Sequence, residues 1–107
     1  MITVRLQRDG ERYTGFSVRG HAGLAEAGQD ILCASVSSAA YMTVNTLTDV
    51  CGIDCETHVG DGEMVVSLLS DSSSAQDLLR GFALHLRALS RQYPKQLQII
   101  YGGNRHA

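Results

Sequence analysis

The sequence predicts an α+β fold, in which two helices pack on one face of a mostly antiparallel sheet and the element order is ββαββαβ. Short segments near both ends of the chain alternate between apolar and polar side chains, which is the pattern of half-buried strands. Two longer segments instead repeat apolar side chains every three or four positions, as amphipathic helices do. Because glycine-containing turns join most of the strands in pairs, we expect most neighbours in the sheet to be antiparallel.

Composition and charge limit the classes of protein that the chain can be. It has 107 residues, of which 44% are hydrophobic and 19% charged, and we expect a single domain over residues 1–107. A net charge of −2 gives no general attraction to nucleic acid or membranes. No apolar run approaches the roughly 20 residues of a membrane span or resembles a signal peptide, so a cytoplasmic protein is expected. The three cysteines are an odd number and favour reduced thiols.

Two hairpins are predicted. Their four strands are residues 2–7, 13–19, 54–58 and 64–69. Asp9-Gly10 is typical of a two-residue turn in the first hairpin, and Gly20 ends the returning strand. The segment Gly60-Asp61-Gly62-Glu63 separates the strands of the second hairpin. A last strand alternates at Leu97, Ile99 and Tyr101.

The first helix is predicted from residue 30 to residue 50, with Asp30 as its N-cap and Cys33 as its third residue. One face carries a continuous series of apolar and small side chains: Cys33, Val36, Ala40, Thr43, Leu47 and Val50. Residues 41–50 contain β-branched side chains that would also suit a strand. The unbroken helical spacing favours a helix.

The second helix is predicted to follow the polar segment 71–74. Ser73 and Gln76 have the S-x-x-Q spacing of a capping box. Its apolar stripe consists of Leu78, Phe82, Leu86, Leu89 and Tyr93. Pro94 ends the helix, because proline cannot continue the backbone hydrogen bonding.

The stretch GHAGLAEAGQDILC, residues 20–33, contains the residues most suited to catalysis. His21 follows the returning strand and Cys33 begins the first helix, so the chain order brings both to one edge of the sheet. A thiolate is the reactive form of cysteine, and the positive end of a helix and a protonated imidazole both favour it. Backbone N–H groups of a first helical turn could also bind an oxyanion. This arrangement suits nucleophilic catalysis, but one histidine and one cysteine separated by a loop also occur by chance, so the residues alone leave a structural role open.

Asp30, Cys33 and Ser37 share one helix face, because they are spaced i, i+3 and i+7. Asp30 could cap the helix or orient His21 as the third member of a triad. Its negative charge would oppose ionisation of the nearby thiol. The sequence leaves the ranking of these effects open.

The same residues resemble the signature G-H-A…G-x-D-I-x-C-A-x-x-S of the bacterial ribosomal-processing cysteine proteases. They are Gly20-His21-Ala22, Gly28, Asp30-Ile31-Leu32-Cys33-Ala34 and Ser37. The element order and the pairs Gly81-Phe82 and Tyr93-Pro94 extend the resemblance along the chain. Leu32 and Ser35 depart from the usual valine and alanine, and neither touches the proposed chemistry.

The resemblance implies a homodimeric cysteine endopeptidase that removes the N-terminal extension of a large-subunit ribosomal protein without a cofactor. Cys33 would be the nucleophile and His21 its general base, with Asp30 and Ser37 as supporting residues. A loop over residues 22–29 would gate the substrate. The residues assigned to that gating role are Gly20, Ala22, Gly23 and Gly28.

Other functions remain as alternatives. In a non-catalytic, ribosome-associated module that binds RNA, His21 and Cys33 would be packing residues. The arginines of the first hairpin could contact RNA or an acidic peptide, although such charges usually only solvate an edge strand: Arg5, Arg8, Arg12 and Arg19. A peptidase could also contact RNA, although it would not need to. A redox sensor is disfavoured because Cys33 lacks a C-x-x-C partner. Cys51, Cys55 and His58 have metal-like spacing but no fourth ligand nearby, so no metal is expected.

Overall fold

The computed structural model describes residues 1–20 and 27–103. In this part of the chain the elements follow the predicted order ββαββαβ. They are β1 (Ile2–Asp9), β2 (Arg12–Arg19), α1 (Ala27–Asn45), β3 (Cys55–Gly60), β4 (Glu63–Leu68), α2 (Ser73–Gln92) and β5 (Leu97–Gly103). A short π-helix, Thr46–Val50, continues directly from α1.

The described strands form one sheet in the order β3-β4-β2-β1-β5. All neighbouring strands are antiparallel except β1 and β5, which are parallel. Both predicted hairpins are present, with two-residue turns at Gly10-Glu11 and Asp61-Gly62. Gly10 and Gly62 have φ angles of 66° and 70°, which glycine adopts without steric cost. The mostly antiparallel sheet is therefore confirmed.

The hydrophobic core lies between the sheet and the two helices, which pack on one of its faces. Alternate residues of β1 form the sheet side of this core. Ile2, Val4 and Leu6 are buried, because every second side chain of a strand points to the same face of the sheet. Phe16 of β2 contacts Phe82 of α2 with ring centroids 4.6 Å apart. Full burial of each such side chain contributes about 1.5–3 kcal/mol. The apolar pattern of the sequence therefore fixes which face of the sheet the helices cover.

The end of the first helix differs from the prediction at Val50. Leu47 is buried, but Val50 is 77% exposed. The reason is the π-helix Thr46–Val50, whose wider turn has i→i+5 hydrogen bonding. A residue three positions beyond Leu47 then no longer returns to the core-facing side. The prediction that Val50 belongs to the buried face is wrong.

The predicted capping box at the start of α2 is also wrong. Ser72, not Ser73, is the N-cap, and its hydroxyl accepts a hydrogen bond from the Ala75 N–H at 3.1 Å. The Gln76 side chain instead bonds the backbone of Tyr13, accepting from its N–H and donating to its carbonyl, both at 2.8 Å. These bonds satisfy the Tyr13 backbone groups of β2 at a position before Gly15, where the pairing of β2 with β4 begins. Gln76 therefore joins the helix to the sheet.

Asp71 organises the loop before α2. Its carboxylate accepts hydrogen bonds from the Ser72 N–H at 2.8 Å, the Gln76 amide at 3.0 Å and Arg12 at 3.1 Å. Partial burial raises the pKa of Asp71, but these hydrogen bonds and the charge of Arg12 outweigh it and lower the pKa overall. The ionised carboxylate is thus the form that the fold stabilises.

Both helices expose apolar side chains to solvent. They include Ile31 and Met42 on α1 and Leu84 on α2. α2 also carries an exposed ion pair between Asp77 and Arg80. Within the described residues, neither helix has the length and apolarity that crossing a membrane requires.

Candidate active site

A cavity of about 260 Å³ separates α1 from the β3–β4 hairpin. Cys33 and Ser37 line one side of it, and Gly20, at the end of β2, also contributes. The remaining lining residues are Val18, Ala40, Tyr41, Val59, Gly60, Gly62, Glu63 and Met64. Three of the residues singled out in the sequence therefore meet at one cavity.

Cys33 is half-buried, with its side chain packed against the edge of the core. Its neighbours Leu32 and Val36 are fully buried and anchor this part of α1 to the sheet. Ser37 lies one helical turn after Cys33 on the same face. None of the cysteines forms a disulfide, so Cys33 carries a reduced thiol. The helix thus holds a reactive group rigidly at the cavity wall.

The start of α1 differs from the prediction. The helix begins at Ala27, so Asp30 is its fourth residue rather than its N-cap, and Cys33 is its seventh rather than its third. Alanine and glutamine favour helices, and one glycine costs only about 1 kcal/mol, so an extra turn forms upstream. Gly28 therefore lies within α1, as do residues 27–29 of the predicted gating loop, and the rest of that loop lies outside the described residues.

This longer helix removes one source of thiolate stabilisation. The favourable field of a helix end falls off within the first turn, and Cys33 lies beyond it. Its backbone N–H also has an acceptor one turn earlier in the α-helical pattern. The prediction that the helix N-terminus activates Cys33 is therefore wrong.

The end of β2 is held in place by several contacts. The Gly20 N–H donates to the Gly62 carbonyl at 2.9 Å, which ties β2 to the β3–β4 turn. Arg19 and Glu63 add an ion pair at 2.6 Å, directly across the strands. Gly20 has φ 97°, and a Cβ there would lie 2.4 Å from the Met1 carbonyl oxygen. Only glycine fits this position without movement of the neighbouring chain.

The residues that follow Gly20 include further predicted site residues. His21, Ala22 and Gly23 lie outside the described part of the chain. His21 is joined covalently to Gly20, whose position at the cavity is described above. Asp30 lies in α1, three residues before Cys33.

The β3–β4 hairpin supplies lining residues that the sequence did not reveal. Val59, Glu63 and Met64 reach the cavity because β4 pairs with β2, which places the turn beside Gly20. Strand order is a long-range property, and no local motif marks these residues. Tyr41 did have a signal, since it lies four residues after Ser37 on the same helix face.

Most arginines of the first hairpin contact other side chains of the protein. Arg8 stacks over the Tyr101 ring at 4.3 Å. Arg12 pairs with Asp71, and Arg19 with Glu63. Three of the four arginines thus engage groups within the protein, which disfavours the RNA-binding alternative.

The possible metal ligands at the start of β3 do not converge. Cys55 and His58 are three positions apart on one strand, so their side chains leave opposite faces of the sheet. Burial raises the pKa of Cys55, and the charge of Asp54 raises it further. Among the described residues, no group of three metal-ligating side chains is close enough to hold an ion.

Comparison with known proteins decides the family. The family model described as "Cysteine protease Prp" matches residues 1–98. The chain belongs to this family. The ribosomal processing cysteine protease Prp of Bacillus subtilis (strain 168) is 30% identical to it over 107 residues, covering 92% of this chain and 96% of that protein. The resemblance seen in the sequence is thereby confirmed.

Solved structures agree with the Prp family assignment. The essential ribosomal processing protease Prp from S. aureus, in complex with a covalently linked product peptide, has a TM-score of 0.85 and 25% identity. The match covers 94% of this chain and 99% of that one. SMU.848 from Streptococcus mutans has a TM-score of 0.81 and 25% identity, covering 97% and 96%. The chain is therefore a cysteine-type peptidase with the Prp fold.

Proposed function

We propose that this Prp-family peptidase removes the N-terminal extension of a bacterial large-subunit ribosomal protein, as a single domain with Cys33 as nucleophile. The main support is the cavity that Cys33 and Ser37 share with Gly20. A half-buried thiol on a rigid helix, beside an open cavity, suits attack on a bound peptide. The B. subtilis relative, named a ribosomal processing protease, supports the choice of substrate.

His21 is the proposed general base. It removes the thiol proton, and the Cys33 sulfur then attacks the carbonyl carbon of the scissile peptide bond. His21 returns the proton to the leaving amine, and water hydrolyses the resulting thioester to regenerate the enzyme. The support is covalent and geometric, because Gly20 is fixed at the Cys33 cavity and His21 follows it directly. Since Cys33 lies beyond the first helical turn, its ionisation depends chiefly on this imidazole.

The supporting residues have less direct roles. Ser37 offers a hydroxyl at the cavity wall that can hydrogen-bond substrate. Asp30, three residues before Cys33, is proposed to orient His21. The proposed gating segment contains Gly20, Ala22 and Gly23. Gly28, predicted to belong to the same segment, lies in the first turn of α1. Slower amide exchange over residues 22–26 with peptide bound would support the gate, and unchanged exchange would count against it.

The enzyme is proposed to act as a homodimer in the bacterial cytoplasm, where ribosomes are assembled, and to need no RNA or cofactor. Exposed apolar side chains support the dimer: Ile31 and Met42 of α1 border a groove of about 690 Å³ that His85 of α2 also lines. Sedimentation equilibrium measures the stoichiometry directly. A monomer at micromolar concentration would contradict this part of the proposal.

Cleavage of a synthetic peptide that spans the ribosomal protein's extension tests the peptidase assignment. Mass spectrometry of the products should show one cut, and Cys33→Ala should abolish it without unfolding the protein. Cys51→Ala is the matched control, because Cys51 is also half-buried but does not line the cavity. Trimming by Cys33→Ala at the normal rate would show that the nucleophile is wrong.

Alkylation tests the base separately from the substrate. Cys33 should react rapidly with iodoacetamide at pH 6, where an ordinary thiol is almost wholly protonated. His21→Ala should slow this reaction strongly while leaving labelling of Cys51 unaltered. Equal labelling of Cys33 in both proteins would exclude His21 as the activating group.

A further inference from the structure

The strand β3 (Cys55–Gly60) forms one edge of the sheet. It pairs only with β4 among the described strands, and its register with β4 is regular along its whole length. Edge strands are usually protected by lysine, proline, a bulge or a covering element. β3 carries one charged side chain, Glu56, but contains no lysine or proline, has no bulge, and none of its residues is fully buried. Within the described residues, its outer side is therefore open to a partner strand.

The hydrogen bonding of β3 identifies which backbone groups face outward. The Leu69 N–H donates to the Asp54 carbonyl at 2.7 Å, just before the first residue pair of the hairpin. Antiparallel strands alternate between residues that bond their partner and residues that do not. The even-numbered residues of β3 thus direct their backbone toward β4. The N–H and C=O groups of Cys55, Thr57 and Val59 point away from the sheet.

This open edge leads to the thiol. Val59 lines the Cys33 cavity, and its side chain is 51% exposed. Tyr41, 46% exposed, lines the same cavity from α1. Val59 lines the cavity beside α1, and Thr57, two residues earlier in the same strand, directs its side chain to the same face of the sheet. The edge strand and the Cys33 cavity are therefore contiguous at Val59.

We propose that the peptide substrate binds as an additional strand against the outer edge of β3, with its backbone bonded to Thr57 and Val59. This inference rests on the proposed function, since the occupant is the peptide that Cys33 cleaves. Main-chain pairing supplies affinity, and alternate substrate side chains turn toward the cavity. The six residues of β3 span about 20 Å, so the edge accommodates five or six residues of extended peptide.

Peptide binding to the Cys33→Ala variant tests the pairing without cleavage. A series of peptides spanning the cut site, each N-methylated at one backbone nitrogen, is titrated by fluorescence anisotropy. The effect on Kd should alternate along the series. A methyl group on a nitrogen that faces β3 should raise Kd about tenfold, because it removes one inter-chain hydrogen bond, whereas a methyl group on the next nitrogen along should change Kd much less. Uniform effects along the peptide would overturn the proposal.

Two substitutions at Thr57 test the protein side. Proline removes the outward N–H and is tolerated on an edge strand, whereas valine keeps that N–H and changes only the side chain. Thr57→Pro should raise Kd about fivefold to tenfold more than Thr57→Val does. Equal Kd values for the two variants would refute the pairing. If Thr57→Pro does not fold, the N-methyl series on the folded parent decides.

The competing occupant and the proposed function give different results. If β3 instead pairs with a second copy of the chain, Thr57→Pro will shift the sedimentation profile toward monomer. The N-methylated peptides will then show no alternation in Kd, and this result contradicts the proposal. If the wild-type enzyme fails to cleave the unmodified peptide while the alternating pattern persists, the proposed function fails and the β3 site stands.

Discussion

Gly20 offers the sharpest test of how the fold positions the active site. Replacing it with alanine places a Cβ 2.4 Å from the Met1 carbonyl oxygen, at a residue with φ 97°. Gly10→Ala is the matched control, because Gly10 has φ 66° and an added Cβ would meet nothing within 4 Å. Both variants place an alanine at a positive φ, and they differ chiefly in the steric overlap.

The magnitudes follow from these two contributions. A left-handed conformation costs an alanine roughly 1–2 kcal/mol, which is the whole expected effect of Gly10→Ala. At Gly20 the overlap with backbone adds about 1–3 kcal/mol, as overpacking does elsewhere. Urea unfolding followed by circular dichroism should therefore show Gly20→Ala to be the less stable by about 2 kcal/mol.

The same substitution should affect catalysis. A shift of β2 at Gly20 moves the residue that follows it, His21, relative to Cys33, and a displacement of about 1 Å can cost roughly a hundredfold in rate. kcat/KM for the extension peptide should fall in Gly20→Ala and stay near the wild-type value in Gly10→Ala, at a temperature where both are folded. Equal stability and equal kcat/KM in the two variants would refute the reasoning.

Three further predictions concern the core and two titratable groups. Phe82→Ala should destabilise the fold by about 3–5 kcal/mol, measured by urea unfolding, because it leaves a void against Phe16. The pKa of Asp71 is lowered in the folded state, so its carboxylate stabilises the fold above the unfolded pKa of about 3.9, and this contribution is lost as the pH falls through the folded pKa. Asp71→Asn should therefore weaken the dependence of the free energy of unfolding on pH below about pH 4. Burial and Asp54 raise the pKa of Cys55, so its alkylation at pH 8 should lag behind that of a model thiol, and Asp54→Asn should accelerate it.

Local periodicity was sufficient to predict the elements. Alternation at Ile2, Val4 and Leu6 identified β1, and three- and four-residue spacing identified both helices. These patterns hold because each element must bury one face, and burial faces are local in sequence. Chain order also predicted that His21 and Cys33 lie at one edge of the sheet. The cavity brings Cys33 together with Gly20, the residue before His21, while His21 itself lies outside the described residues.

The boundaries were harder to predict, because they depend on contacts beyond the local sequence. Ser72 and Ser73 are equally good caps in isolation, and the choice depends on Gln76 reaching the β2 backbone. The start of α1 is a second example, because the sequence around Cys33 is compatible with a helix that begins at Ala27 or at Asp30. The hairpin side of the cavity, including Glu63, depends on the pairing of β4 with β2 and has no local signature.

The parallel pairing of β1 with β5 has a mechanical consequence. Ile2 begins one strand and Gly103 ends the other, and in the parallel register these residues lie at opposite ends of the pair. A force pulling them apart slides the strands lengthwise and loads all of their evenly spaced hydrogen bonds together. A hairpin such as β3–β4, pulled from its open end, would yield one bond at a time. Separation of Ile2 from Gly103 therefore loads this strand pair in shear, which is the more resistant of the two directions.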